Sequence, residues 1–213
     1  MKIIYSATYK AGSTTHIAIH HSGAVGADPY SSSAILSAGQ ISNAHKERWN
    51  FPSAVMKRTD GTPWYGGYNF YIDKFGNVDQ FRAIGEETAA QFGYNMNGAV
   101  ISICFSGNHT LKMGKIVDEV TPAQITAYKD LVCSLPRVPL TSIVPHRHFG
   151  KTECYGNAFD DKWAAVIAGH AIAEQVQGEL NAMTANSCKV AGFGAMEGVS
   201  AAPQHCSEME LRG

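Results

Sequence analysis

A chain of 213 residues with 17 basic and 18 acidic side chains carries a formal net charge of −1, and its 45% apolar and 16% charged residues exclude wholesale disorder. The near-neutral balance supplies no basic field to attract nucleic acid. No apolar run approaches the roughly 20 residues that span a bilayer, so no membrane insertion is expected.

The opening stretch, Met1 to Tyr9, is too short and polar for a secretory h-region, so the expectation is synthesis in the cytoplasm without a signal peptide. His16-Ile17-Ala18-Ile19-His20-His21 reads as a buried strand that ends on two histidines. The Gly, Asp and Pro content of Ser22 to Pro29 marks a loop. From Ser31 to Trp49 the pattern turns helical, with Ile35, Leu36, Ile41, His45 and Trp49 on one face. A loop over Arg58 to Trp64 leads to a hairpin, in which Tyr68 to Ile72 and Val78 to Arg82 flank the turn Asp73-Lys74-Phe75-Gly76-Asn77. Ala99 to Phe105 is continuously apolar, as a central strand is. Thr121-Pro122-Ala123-Gln124 predicts a capped helix start, with Thr as cap, Pro at the first position and Gln three residues after the cap. That helix is expected to run to Leu135. Thr141 to Val144 is a short strand leading into Pro145-His146-Arg147-His148. Phe159 to about Leu180 predicts a terminal helix that turns Trp163, Val166, Ile167 and Ala171 inward. Residues 181–213 are rich in Ala, Gly, Ser and Met without clear periodicity and read as a C-terminal extension to a domain spanning residues 1–180.

Nine histidines are a rich supply for acid–base or metal chemistry. The five cysteines, Cys104, Cys133, Cys154, Cys188 and Cys206, are odd in number and widely spaced, which favours free thiols or a metal ligand over a disulfide framework. Among these residues, His20 ends a strand, and His146 and Cys154 lie eight positions apart on one loop. Imidazole and thiolate suit Zn²⁺, and three protein ligands with one open position distinguish a catalytic zinc from a closed structural one. Spacing alone leaves the structural alternative open, since isolated buried His and Cys are commonly core residues.

Seven segments follow one another in order: Ile17-Ala18-Ile19-His20-His21-Ser22, His45-Lys46-Glu47-Arg48-Trp49, Gly67-Tyr68-Asn69-Phe70-Tyr71-Ile72, Gly93-Tyr94-Asn95, Ile101 to Asn108, Thr121-Pro122-Ala123-Gln124, and His146-Arg147 with Thr152-Glu153-Cys154. Together they resemble the zinc-dependent N-acetylmuramoyl-L-alanine amidases of phage-lysozyme type, which share a fold with the peptidoglycan recognition proteins. The resemblance covers about Ile17 to Ala168. It implies an α/β fold, a mixed central sheet of about five or six strands flanked by helices. It also implies His20, His146 and Cys154 as zinc ligands, and Tyr68 and Thr152 as catalytic hydroxyls that position substrate and stabilise an oxyanion. Arg82 matches an arginine that meets a peptide carboxylate or forms a surface salt bridge. Asn95 is either a turn residue or a contact to the stem peptide. The implied substrate is peptidoglycan, the implied reaction is hydrolysis of its muramoyl–L-alanine amide, and the implied setting is a phage-type endolysin released to the cell wall by a partner holin.

Two other readings share the fold: a non-catalytic peptidoglycan-binding module, and a cytosolic recycling amidase for anhydro-muropeptides. Retention of all three ligand types favours an enzyme. The proton acceptor is unassigned by the sequence, with Glu153 and His148 as neighbours in the chain. His21 is expected to face away from His20, because strand neighbours alternate. His45 reads as a satisfied core residue and Cys104 as a small core hydrophobe, whereas His16, His109, His170 and His205 are expected at the surface. The resemblance is imperfect at two places: Ala90-Gln91 replaces a family histidine, and Tyr155 stands where Pro is usual after the ligand cysteine.

Overall fold

The computed structural model describes residues 1–90, 98–150 and 152–190, the side chains of 185–190 excepted. In chain order its elements are β1 (His16–His21), α1 (Ala38–Trp49), β2 (Phe70–Ile72), β3 (Val78–Gln80), β4 (Val100–Phe105), β5 (Leu111–Lys112), β6 (Lys115–Ile116), α2 (Pro122–Ser134), β7 (Ile143–Pro145) and α3 (Trp163–Val190). Packing divides the chain between Gln175 and Val176, within α3. Among the described residues no helix is long and apolar enough to cross a membrane.

Five strands form one sheet in the order β3-β2-β4-β1-β7. β1 runs parallel to β4 and β7, and β2 runs parallel to β4. Only β3, the return strand of the hairpin, is antiparallel. This is the expected mixed α/β sheet, with the apolar run Val100–Phe105 at its centre and buried throughout. Alternation along the strands divides the core in two. Ile17, Ile19, Ile101, Ile103 and Phe105 meet Tyr128, Leu131 and Val132 of α2 and Ala164 and Ala168 of α3. On the opposite face Cys104 and Tyr71 meet Ala38 and Ile41 of α1 and Phe81.

The caps follow local chemistry. The capping box expected at Thr121 and Gln124 starts α2. A second box, Ser37 with Gln40, starts α1 seven residues later than the expected Ser31, because the cap satisfies the orphan amides at that point. Asn50 closes α1 in the left-handed conformation, its N–H returning to Lys46 O. α3 begins at Trp163 and reaches Val190, ten residues past the expected end. Its inward positions are Ala164, Ala168 and Ala171; Val166, expected inside, is 54% exposed. The hairpin β5–β6 was not foreseen. It turns through Met113 and Gly114, both at positive φ, which suits a tight two-residue turn.

Candidate metal centre and its cleft

The site lies at the carboxyl ends of the parallel strands, where α/β sheets commonly bind ligands. His20, His146 and Cys154 each offer one ligand atom, and these atoms all lie within 4.8 Å of one another. The His20 and His146 rings are 4.4 Å apart between centroids, and Cys154 Sγ is 3.7 Å from His20 Nδ1. A nitrogen at 2.0–2.1 Å and a sulfur at 2.3 Å from one tetrahedral zinc would stand about 3.6 Å apart. Among the described residues this is the one His, Cys and carboxylate cluster close enough to share an ion.

The electrostatics of the two imidazoles suit a cation. His20 is 1% exposed, and burial, then the neighbouring His146 and His21, hold its pKa well below the ordinary imidazole value. Burial likewise lowers His146. Both rings are therefore neutral and keep a lone pair. Burial pushes the Cys154 thiol up to about 12, against the lowering influence of the His21 backbone and Arg147. His146 Nδ1 is buried without a hydrogen-bond partner. An orphaned polar atom costs about 1–3 kcal/mol, and a ligated ion is one way to meet it. The donor set therefore fits zinc.

The loop carrying two of these residues is held by Arg147. Its N–H donates to Cys154 O at 3.1 Å, and its guanidinium donates to Gly156 O at 2.5 Å and to the Asp161 carboxylate. Thr152 Oγ accepts from Cys154 N at 3.2 Å, which leaves its hydroxyl proton free to donate. Tyr68 packs its ring 5.0 Å from that of His20. Burial, then Cys104 and Cys154, raise its phenol well above the usual value, so it stays an O–H donor.

His20, Tyr68, His146, Thr152 and Cys154 share a cleft of about 440 Å³, together with Arg48, Trp49, Ala89 and Ala90. A larger groove of about 910 Å³ runs between β7 and α3, but its lining is mostly apolar and contains none of the three ligand residues. His148 lines that groove, and Glu153 is exposed outside the cleft, so neither sequence candidate for a proton acceptor faces the site. Asn95 lies outside the described residues.

Arg82 is the chief correction. It is 1% exposed, not a surface or substrate-facing group. Its Nε donates to Gly66 O at 2.7 Å, its Nη2 donates to Phe51 O, and its Nη1 lies 3.4 Å from Glu86 Oε1. The guanidinium also sits 4.1 Å from the centre of the Phe51 ring. Glu86 accepts from Ser53 Oγ and from the amides of Ala54 and Ala83. The pair thus ties the segment after α1 to the segment before Tyr68. Gly66 has no alternative there, since a Cβ would lie 1.7 Å from the Phe81 ring.

Two residues beside the site went unrecognised as supports. Asn69 is buried, accepting from Ser102 N and donating to Ala83 O, and so anchors the residue next to Tyr68. His109, expected at the surface, is 1% exposed; its N–H donates to His21 Nδ1 and its Nδ1 lies 2.7 Å from Asp118 O. The only advance signal for His109 was its position in the Ile101 to Asn108 motif's continuation. His21 turns away from His20, as alternation requires. His45 is satisfied, accepting from Gly67 N at 2.9 Å, and stands against Trp49 and Tyr68. Cys104 is fully buried, His16 is half-buried at the start of β1, His170 is exposed, and His205 lies outside the described residues.

The family pattern described as N-acetylmuramoyl-L-alanine amidase matches residues 10–157. No curated protein matches the chain. Among solved structures, the chain is similar to the Ph2119 endolysin of the Thermus scotoductus bacteriophage Ph2119, with 15% identity and a TM-score of 0.50, over 79% of this chain and 92% of that one. N-acetylmuramoyl-L-alanine amidase LysC from Clostridium intestinale is 21% identical with a TM-score of 0.49, over 85% and 98%. The Drosophila peptidoglycan recognition protein PGRP-LB, solved with tracheal cytotoxin, is 18% identical with a TM-score of 0.49, over 74% and 84%.

Proposed function

Because the chain belongs to the N-acetylmuramoyl-L-alanine amidase family, and is an amidase of peptidoglycan, we propose that its cleft is a zinc centre held by His20, His146 and Cys154. The bond cleaved is the amide joining the lactyl group of N-acetylmuramic acid to L-alanine. The observation that carries the zinc assignment is the approach of three ligand atoms to within 4.8 Å of one another in a cleft.

When bound there, zinc supplies Lewis acidity, bringing the pKa of water from 15.7 toward about 7 and polarising the amide carbonyl. The chain's own groups do the rest. Tyr68 and Thr152 are hydroxyl groups that line the same cleft, and each would donate to the oxygen that gains charge as the carbonyl is attacked. One such donor is typically worth about 3–4 kcal/mol of barrier. Arg147 keeps the loop bearing His146 and Cys154 in one shape, and the Arg82–Glu86 pair fixes the wall behind Tyr68.

A role as a phage-type endolysin, with release to the wall by a holin, is the biological setting we propose; the Ph2119 endolysin is a relative of like fold. The catalytic part is proposed to end by about residue 180. Purified sacculi treated with the zinc-loaded protein should lose turbidity, and chelator should prevent the loss. New N-terminal alanine on the released peptide is the expected product. New reducing sugar ends, or binding without cleavage, would overturn the assignment.

A further inference from the structure

His21 follows the proposed ligand His20 at the end of β1, and Arg147 follows the proposed ligand His146 just beyond β7. Arg147 ties the loop of Cys154 to the β7 side, through its N–H to Cys154 O and its guanidinium to Gly156 O. A corresponding tie runs from β1 through His21 and His109. The Nδ1 of His21 accepts from the His109 amide at 3.0 Å, so the ring proton is on Nε2. The carbonyl of the same His109 accepts from Ala158 N at 3.1 Å, four residues past Cys154.

Two further contacts close this seam. A Cβ on Gly156 would lie 2.1 Å from His109 O, so backbone meets backbone there, and Leu111 N donates to Asn157 Oδ1 at 2.8 Å. The His109 ring is itself fixed, buried with Nδ1 2.7 Å from Asp118 O and edge-on to Phe159 at 5.7 Å. A buried amide needs an acceptor, and that need alone would explain the bond to His21. It does not account for the second bond of His109, which runs to the loop of the sulfur ligand. Cys154 Sγ lies 3.9 Å from His21 O and 3.7 Å from His20 Nδ1. A ligand loop ordered beforehand spares the ion the entropy of ordering it, and the saving is read as affinity.

We propose that His21 is a positioning residue for the metal centre: its ring, through His109, holds the Cys154 loop against the end of β1 and so presets the spacing of Cys154 and His20. This rests on the zinc reading given above. It adds that the residue after each histidine ligand braces the loop of the third.

The test uses the full-length chain and two variants. His21→Phe keeps a planar ring and removes the acceptor, whereas His21→Asn places an amide oxygen close to where Nδ1 stands. Zinc affinity is measured by competition with a chromophoric chelator, thiolate ligation by the absorption of the cobalt form, and hydrogen exchange at His109 and Ala158 on the metal-free chain. His21→Phe should lower zinc affinity about tenfold or more, weaken the thiolate-to-cobalt band, and speed exchange at His109 and Ala158 while the β4 amides keep the parent's protection. His21→Asn should restore most of each. A His21→Phe variant that binds zinc as tightly as the parent, or whose β4 amides lose protection equally, overturns the proposal, as does a His21→Asn variant no better than His21→Phe. Faster exchange at Ala158 in His21→Phe, in a chain whose wild type has no zinc affinity, would instead sink the zinc reading and leave the His21 brace standing.

Discussion

His20 and His146 stand side by side because each lies one step beyond the last paired residues of two neighbouring parallel strands, Ile19 and Pro145. Parallel pairing turns partners to the same face, so both imidazoles point into one cleft with ring centroids 4.4 Å apart. Cys154 completes the set from the loop that Arg147 braces. Replacing any one ligand should therefore abolish tight zinc retention without unfolding the sheet. Cys154→Ala and His146→Ala are expected to lose zinc by metal analysis and to lose activity, while keeping the far-ultraviolet circular dichroism of the parent. Full zinc content in either variant would contradict the assignment.

Tyr68→Phe removes one hydroxyl and little volume. If that hydroxyl stabilises developing charge, kcat should fall by about 10²-fold or more, with KM and zinc content close to the parent. A matching rise in KM with kcat preserved would mean that the phenol only binds substrate.

Arg82→Met leaves Glu86 buried without its partner and strips Gly66 O and Phe51 O of their donor. Breaking a buried pair from one side typically costs about 3–5 kcal/mol. The urea midpoint should drop accordingly, with the m-value unchanged. In the double variant Arg82→Met with Glu86→Gln, the loss should be smaller than the sum of the two single losses. Additive losses would show that the two groups do not act as a pair.

Burial, then the charges of Arg48 and Arg82, lower His45 to about 4, below the ordinary imidazole value of about 6.5 in an unfolded chain. Between those values the unfolded chain takes up a proton that the folded chain refuses. Stability contributed by neutral His45 is thus intact above about pH 7 and falls as the pH drops toward 4, at up to about 1.4 kcal/mol per pH unit. Denaturant unfolding at several pH values should show a shallower acid loss in His45→Gln, which can still accept from Gly67 N. Equal slopes in parent and variant would remove His45 from the acid response.

Much of this molecule was legible in its order of residues. The opposite facing of His20 and His21 follows from a period of two, the start of α2 from Thr121 and Gln124, and the central strand from an unbroken apolar run. The order of short motifs pointed to His20, His146 and Cys154 before any distance was known. These signals are local or positional, and local chemistry sets them. Arg82 and His109 could not be placed the same way. A polar side chain is buried or exposed according to the partners that meet it, and Gly66 O and Phe51 O for Arg82, and His21 for His109, arrive from other parts of the chain. The exposed guanidinium of Arg48 and the buried one of Arg82 are the same side chain chemically. Folding alone gave one a cleft and the other a set of buried acceptors, because desolvating a charge is tolerated only where those acceptors converge.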